Sequence, residues 1–191
     1  MGRLVLASQS PRRRELLGQM GLTDFDIIPA RGEEIMDQTL TPAELVEALA
    51  YAKAAEVAAQ VEEDCVVVAA DTVVVLEGKV LGKPGDEQQA CEMLSALSGH
   101  THQVYTGLAV MSKGNCLQNH ACTDVTFRPL TAAEIRGYLA TGESMDKAGA
   151  YGIQGRGALL VEGIRGDYCN VVGLPVCKLG QMLAKFGIQT L

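Results

Sequence analysis

Leu4-Val-Leu-Ala7 begins the hydrophobic pattern with a run too short for a helix and suited to a buried strand. A leucine-bearing helix follows through Met20, with Ser10 as N-cap, Pro11 at the first helical position and Gly21 as its stop. Phe25–Ile28 predicts a second strand that leads into the loop Pro29–Glu34. Thr41-Pro-Ala-Glu44 is a capping box and predicts a helix to Gln60, with Leu45, Leu49, Ala52 and Val57 on its apolar face. Cys65–Ala70 is almost wholly apolar, the mark of a central strand covered on both faces, and it ends in Asp71-Thr72. Val73–Leu76 and Lys79–Leu81 then form a hairpin around Glu77-Gly78. Asp86 caps a helix that ends near Gly99.

Two alternating segments, Thr101–Met111 and Cys116–Arg128, predict long strands joined by the turn Ser112–Asn115. Thr131-Ala-Ala-Glu134 is a second capping box, and its helix stops at Thr141-Gly142. Ser144–Arg156 is rich in glycine and polar residues. Ala158–Val161 and Tyr168–Val172 read as strands around a turn at Gly163–Gly166, and Pro175 opens a closing helix. Strands alternating with helices, with no linker between them, predict one α/β domain over residues 1–191.

Composition narrows the function. A net charge of −7 argues against a general nucleic-acid or anionic-membrane binder, which needs a basic surface. No apolar run approaches the length of a membrane span, and the first residues lack the apolar core of a signal peptide, so the expected location is the cytoplasm. The six cysteines form no CxxC and no zinc-type pairing with the three histidines, as expected of free thiols in a reducing compartment.

Positive charge is concentrated where a helix least tolerates it. Arg12 and Arg13 fall in the first turn after Ser10-Pro11, against the positive end of the helix dipole. An anion such as a phosphate chain relieves that conflict, and a solvated basic turn is the competing reading. Asp71, placed at the end of a buried strand, is suited to general-base work on water or to holding a divalent cation, but equally to capping the following turn. Glu33, Glu34, Lys83, Asp146 and Lys147 are further loop charges beside strand ends, the inventory needed for Mg²⁺ and a polyphosphate. There is no P-loop, no GxGxxG after a strand and no GxSxG elbow.

Five segments together resemble the Maf family of nucleoside triphosphate pyrophosphatases: Leu6–Arg13 (LASQSPRR), Ala70–Val74 (ADTVV), Gly82-Lys-Pro84, Leu97–Gly107 (LSGHTHQVYTG) and Asp146–Gly155 (DKAGAYGIQG). The resemblance implies a mixed α/β fold, an elongated sheet flanked by helices with two lobes around a central cleft, as in Maf/ITPase-like proteins. It implies a homodimer, and hydrolysis of a nucleoside triphosphate between its α and β phosphates with Mg²⁺ or Mn²⁺. On this chain Asp71 takes the catalytic carboxylate position as proton acceptor. Arg12, Thr72 and Gln154 fall at the specificity positions of the dTTP/UTP-cleaving subfamily. Ser8, Arg13, Glu33, Lys53 and Lys83 match polar positions of the cleft. Phosphate contacts then fall to Ser8, Arg12, Arg13, Lys53 and Lys83, and the metal to Asp71 and Glu33. The Gln154 amide, both donor and acceptor, matches the O4/N3–H edge of uracil or thymine, unless it bonds its own backbone instead. Two alternatives stay open: a nucleotide-binding regulator of septum formation with little turnover, and a preference for 7-methylguanosine triphosphate.

Overall fold

The computed structural model describes residues 2–191. It is a mixed α/β structure with a seven-stranded sheet in the order β2-β1-β3-β5-β6-β7, β4 pairing with β3 alone. The strands are β1 (Leu4–Leu6), β2 (Asp26–Ile27), β3 (Val66–Leu76), β4 (Lys79–Leu81), β5 (Thr101–Ser112), β6 (Asn115–Phe127) and β7 (Val161–Arg165). The helices are α1 (Pro11–Gln19), α2 (Pro42–Ala58), α3 (Glu87–Leu97), α4 (Ala132–Leu139), α5 (Tyr168–Val172) and α6 (Val176–Ala184). Two compact units share the chain. The first takes it up to Asp71, Thr106–Ala121 and Gly173 onward, and the second takes Thr72–Tyr105 and Cys122–Val172.

In the first unit β1 lies parallel to β3, with Leu4, Val5 and Leu6 opposite Val66, Val67 and Val68. Helix α1 begins as its sequence dictates, the Ser10 side chain accepting from Arg13 N–H. It ends in a Schellman motif: Gly21 has φ +78°, its N–H reaches Gly18 O at 3.0 Å, and Leu22 N–H reaches Leu17 O at 3.1 Å. Helix α2 carries the expected capping box at Thr41 and Glu44. Its buried face differs from the expected one. Ala52 is exposed, and Val46, Ala50 and Ala54 complete the stripe with Leu45, Leu49 and Val57. Ala50, Ala54 and Val57 pack with Val67 and Ala69, so small side chains allow the helix to lie close to the strands. Gly107 of β5 is part of that approach, because a Cβ there would stand 2.0 Å from Val46 O.

In the second unit, Ala90 and Leu94 of α3, Ile135 and Tyr138 of α4, and Phe127 of β6 share one core. His102 is fully buried among them, its ring edge-on to Phe127 at 5.1 Å and to Tyr151 at 5.4 Å. Two tight turns, Glu77-Gly78 and Lys113-Gly114, have positive φ at both residues, as two-residue hairpins of the right twist require.

Three expectations are corrected. The strand expected to end at Asp71 continues unbroken to Leu76, because β-branched Thr72 to Val75 keep the extended conformation. Tyr168–Val172 is a helix rather than a strand. The Asp167 carboxylate accepts from Cys169 N–H at 2.8 Å and Asn170 N–H at 3.3 Å, and buried Asn170 donates to Val104 O at 2.9 Å. Of the apolar run Ala158–Val161, Ala158 and Leu159 belong to a 3₁₀ turn, Gly155–Leu159, and Val161 alone to a strand, while β7 lies over the expected turn at Gly163–Gly166. Pairing with β6, not local hydrophobicity, selects β7, and Leu159 is left 69% exposed.

Replacement of Gly107 by alanine should push α2 off β5 and lower stability by about 1–3 kcal/mol, the usual range for overpacking a dense core. Urea denaturation measures it, and a midpoint equal to wild type would show that the close approach bears no load.

Candidate active site

Asp71 is 7% exposed, and a carboxylate so buried requires a partner. Lys53 of α2 supplies it, Nζ donating to Asp71 Oδ1. The same Nζ lies 2.7 Å from Glu34 Oε1. The loop carrying Glu34 is pinned by Glu56, one turn beyond Lys53 on α2. The Glu56 carboxylate accepts from Arg31 N–H at 2.7 Å and Gly32 N–H at 2.9 Å. Gly32 fits this contact closely, since a Cβ would come within 2.8 Å of Glu56 Oε2. Glu33, next to Glu34, is exposed.

Arg13 reaches the same neighbourhood from α1. Its Nε donates to Gly173 O at 2.8 Å and its Nη1 to Ser8 Oγ at 3.2 Å. Burial lowers its pKa from the ordinary arginine value, while attraction to Asp71 opposes that, Arg12 adds to it and Glu34 opposes it. One unit thus gathers Ser8, Arg12, Arg13, Glu34, Lys53 and Asp71. Two carboxylate oxygens from separate segments meet at one cationic point, which is the donor chemistry of a Mg²⁺ or Mn²⁺ site. Among the described residues no third acidic, histidine or cysteine side chain completes a cluster. The remaining positions suit phosphate oxygens and water, the usual ligands of Mg²⁺ beside one or two carboxylates.

The second unit holds Thr72, Lys83 and Gln154. Lys83 is exposed, between Gly82 and buried Pro84. Gly82 O accepts from Gly149 N–H at 3.0 Å, tying the lysine loop to the glycine-rich segment. Gly149 has φ +68°, and a Cβ there would stand 2.9 Å from Val74 Cγ2. Lys147 turns its ammonium back on its own loop, to Glu143 O and Asp146 Oδ1, each at 2.6 Å. Gln154 is half-buried at the start of the 3₁₀ turn, and its side chain makes no capping hydrogen bond.

The Maf-like protein family model matches residues 3–186. The chain belongs to the Maf family. The relatives of this Maf protein include a dTTP/UTP pyrophosphatase of Moorella thermoacetica, 58% identical over 99% of this chain and 97% of that one. A dTTP/UTP pyrophosphatase of Pelotomaculum thermopropionicum is 53% identical over the whole of both chains. Another, of Alkaliphilus metalliredigens, is 50% identical over 97% of this chain and 96% of its own.

Sequence reasoning named Lys53 and Asp71 separately and missed that they pair. It also missed Glu56, although its spacing of three from Lys53 sets both on one helix face. His102, which its place at a strand start marks as structural, is buried in the core of the second unit. Its Nε2 lies 2.7 Å from Tyr151 Oη, and its Nδ1 is buried with no hydrogen-bond partner among the described residues. Burial pushes the His102 pKa down to about 4. The unfolded chain, with histidine near its ordinary value, therefore binds more protons than the folded one between about pH 6.5 and 4. This contribution to stability is complete above that window and is lost as pH falls through it. Between pH 7 and pH 5 wild type should lose about 2 kcal/mol more than His102→Gln in urea unfolding. Equal losses would mean that the fold leaves the imidazole with its ordinary pKa.

Proposed function

We propose that this Maf protein hydrolyses dTTP, UTP and related or modified pyrimidine nucleoside triphosphates to the monophosphate and pyrophosphate, with residues 1–191 acting as one functional domain. The observation that carries the reading is the buried Asp71 carboxylate, held by Lys53 with Glu34 and within electrostatic reach of Arg13. The names of the relatives support the substrate class.

A water oxygen attacks the α-phosphorus, the bond from that phosphorus to the α–β bridging oxygen breaks, and pyrophosphate leaves with the electron pair. Asp71 accepts the proton of the attacking water. Arg12, Arg13, Lys53, Lys83 and the Ser8 hydroxyl bind the phosphate oxygens, where the positive dipole end of α1 adds to their charge. Lys53 holds the Asp71 carboxylate in the absence of nucleotide, so the base is positioned before substrate arrives. Asp71 and one carboxylate of the Glu33–Glu34 pair would hold the divalent cation. When bound, Mg²⁺ or Mn²⁺ supplies charge neutralisation to the polyphosphate. Arg12, Thr72 and Gln154 select the nucleotide, the Gln154 amide pairing with the O4/N3–H edge of the base.

On the same reading the enzyme is a cytoplasmic homodimer. The family resemblance supports the dimer, and the free state of all six cysteines agrees with a reducing compartment.

A panel of nucleoside triphosphates, assayed for monophosphate and pyrophosphate with Mg²⁺ or Mn²⁺, should show dTTP and UTP turned over fastest. Asp71→Asn should reduce pyrophosphate release by at least about 10³-fold with an unchanged circular-dichroism spectrum. Turnover near wild type in that variant would remove Asp71 as the proton acceptor.

A further inference from the structure

The backbone that presents Gln154 is fastened on both sides of that residue. Before it, the Tyr151 hydroxyl lies 2.7 Å from His102 Nε2, and the Tyr151 ring packs edge-on against Phe127 at 4.7 Å. Gly152 N–H donates to the hydroxyl of Tyr138 at 3.2 Å. Gly157 closes over the same point, since a Cβ there would stand 1.7 Å from Gly152 O and 3.2 Å from Tyr138 Oη. The Lys147 methylenes cover Gly152 from another side, 2.8 Å from where its Cβ would be. Ile153 is buried at 8% exposure. Beyond Gln154, Glu143 Oε1 accepts from Arg156 N–H at 3.3 Å and stands 3.0 Å from a Cβ built on Gly155.

Hydrogen bonds or burial hold residues 151–153 and 156, and a carboxylate lies against 155. The Gln154 side chain makes no capping bond within this framework. An amide that reads a base through two hydrogen bonds loses affinity when its backbone drifts, so this fastening has a direct use in recognition. We infer that Tyr138, assisted by the His102–Tyr151 pair, is a positioning residue for pyrimidine recognition: its hydroxyl holds Gly152 N–H and so sets where the Gln154 amide meets the base. The inference rests on the reading of Gln154 as the base-contacting residue. Tyr138 is 5% exposed within the core of the second unit, so it acts through the backbone of the segment.

The test is steady-state kinetics on the full chain with dTTP and dGTP, for wild type, Tyr138→Phe, Gln154→Ala and the double variant. Removal of the hydroxyl should raise the KM for dTTP about 3- to 10-fold, the worth of one hydrogen bond, and leave kcat within about twofold. The kcat/KM for dGTP should stay within about twofold, and adding Tyr138→Phe to Gln154→Ala should produce no further loss on dTTP. A merely structural hydroxyl would lower activity on both nucleotides alike, or multiply with the Gln154 loss, and either result overturns the inference. A changed dTTP:dGTP ratio in Gln154→Ala with an unchanged one in Tyr138→Phe removes the positioning role alone. An unchanged ratio in Gln154→Ala removes the base-contacting role of Gln154, and the positioning role with it. If Tyr138→Phe does not fold, Tyr151→Phe, which deletes only the contact to His102 Nε2, takes its place with the same expected pattern.

Discussion

A carboxylate buried in the middle of a strand needs a cation, and the first unit is arranged around meeting that need at Asp71. Lys53 meets it, but only because α2 lies close enough to the sheet for a lysine to reach β3. The absence of a side chain at Gly107 and the small residues Ala50 and Ala54 make that distance possible. One turn further along the helix, Glu56 takes two loop N–H groups and thereby brings Glu34 to the same ammonium. Helix packing, loop position and site electrostatics are consequences of one burial. Asp71 also lies beyond the last residue of β1 paired with β3, so the parallel ladder ends before the carboxylate.

The arginine-rich start of α1 shows how strain at one level is useful at the next. Cations in a first helical turn oppose the dipole, and the helix keeps them nonetheless, with Ser10 capping Arg13 N–H. Arg13 spends two of its donors on Gly173 O and Ser8 Oγ, which fixes the guanidinium plane within the protein. A guanidinium fixed in advance loses little freedom when it meets an anion, which suits the phosphate-binding role proposed for Arg13.

The second unit solves a different problem. Its glycine-rich segment has too few side chains to pack itself, so tyrosine hydroxyls and backbone contacts hold it. Gly149, Gly155 and Gly157 occur where a Cβ would collide with a neighbour or where φ is positive. Polar anchors inside an apolar core are costly unless paired, and the Tyr151–His102 contact pairs one nitrogen and leaves the other buried.

Much of this was legible in the sequence because it depends on local physics. Capping boxes at Thr41 and Thr131, the Ser10-Pro11 helix start and the apolar run of β3 each encode their element within a few residues. The candidate residues Ser8, Arg12, Arg13, Lys53, Asp71, Thr72, Lys83 and Gln154 could be named from motif resemblance. Their arrangement could not. β7 was misplaced because its bounds come from pairing with β6, while the more hydrophobic Leu159 beside it is exposed. α5 read as a strand because its helical start depends on Asp167 and its docking on a buried asparagine bonded to Val104, sixty-six residues away in the chain. The Lys53–Asp71–Glu34 contact joins three segments far apart in sequence, and no spacing rule reports an ion pair between them. By itself the sequence determined which residues carry charge and where helices begin, because propensity and capping act over a single turn. Only the tertiary structure decided which charges meet and which strands pair, because both depend on how closely α2 can approach the sheet and on which edge is free to accept β7.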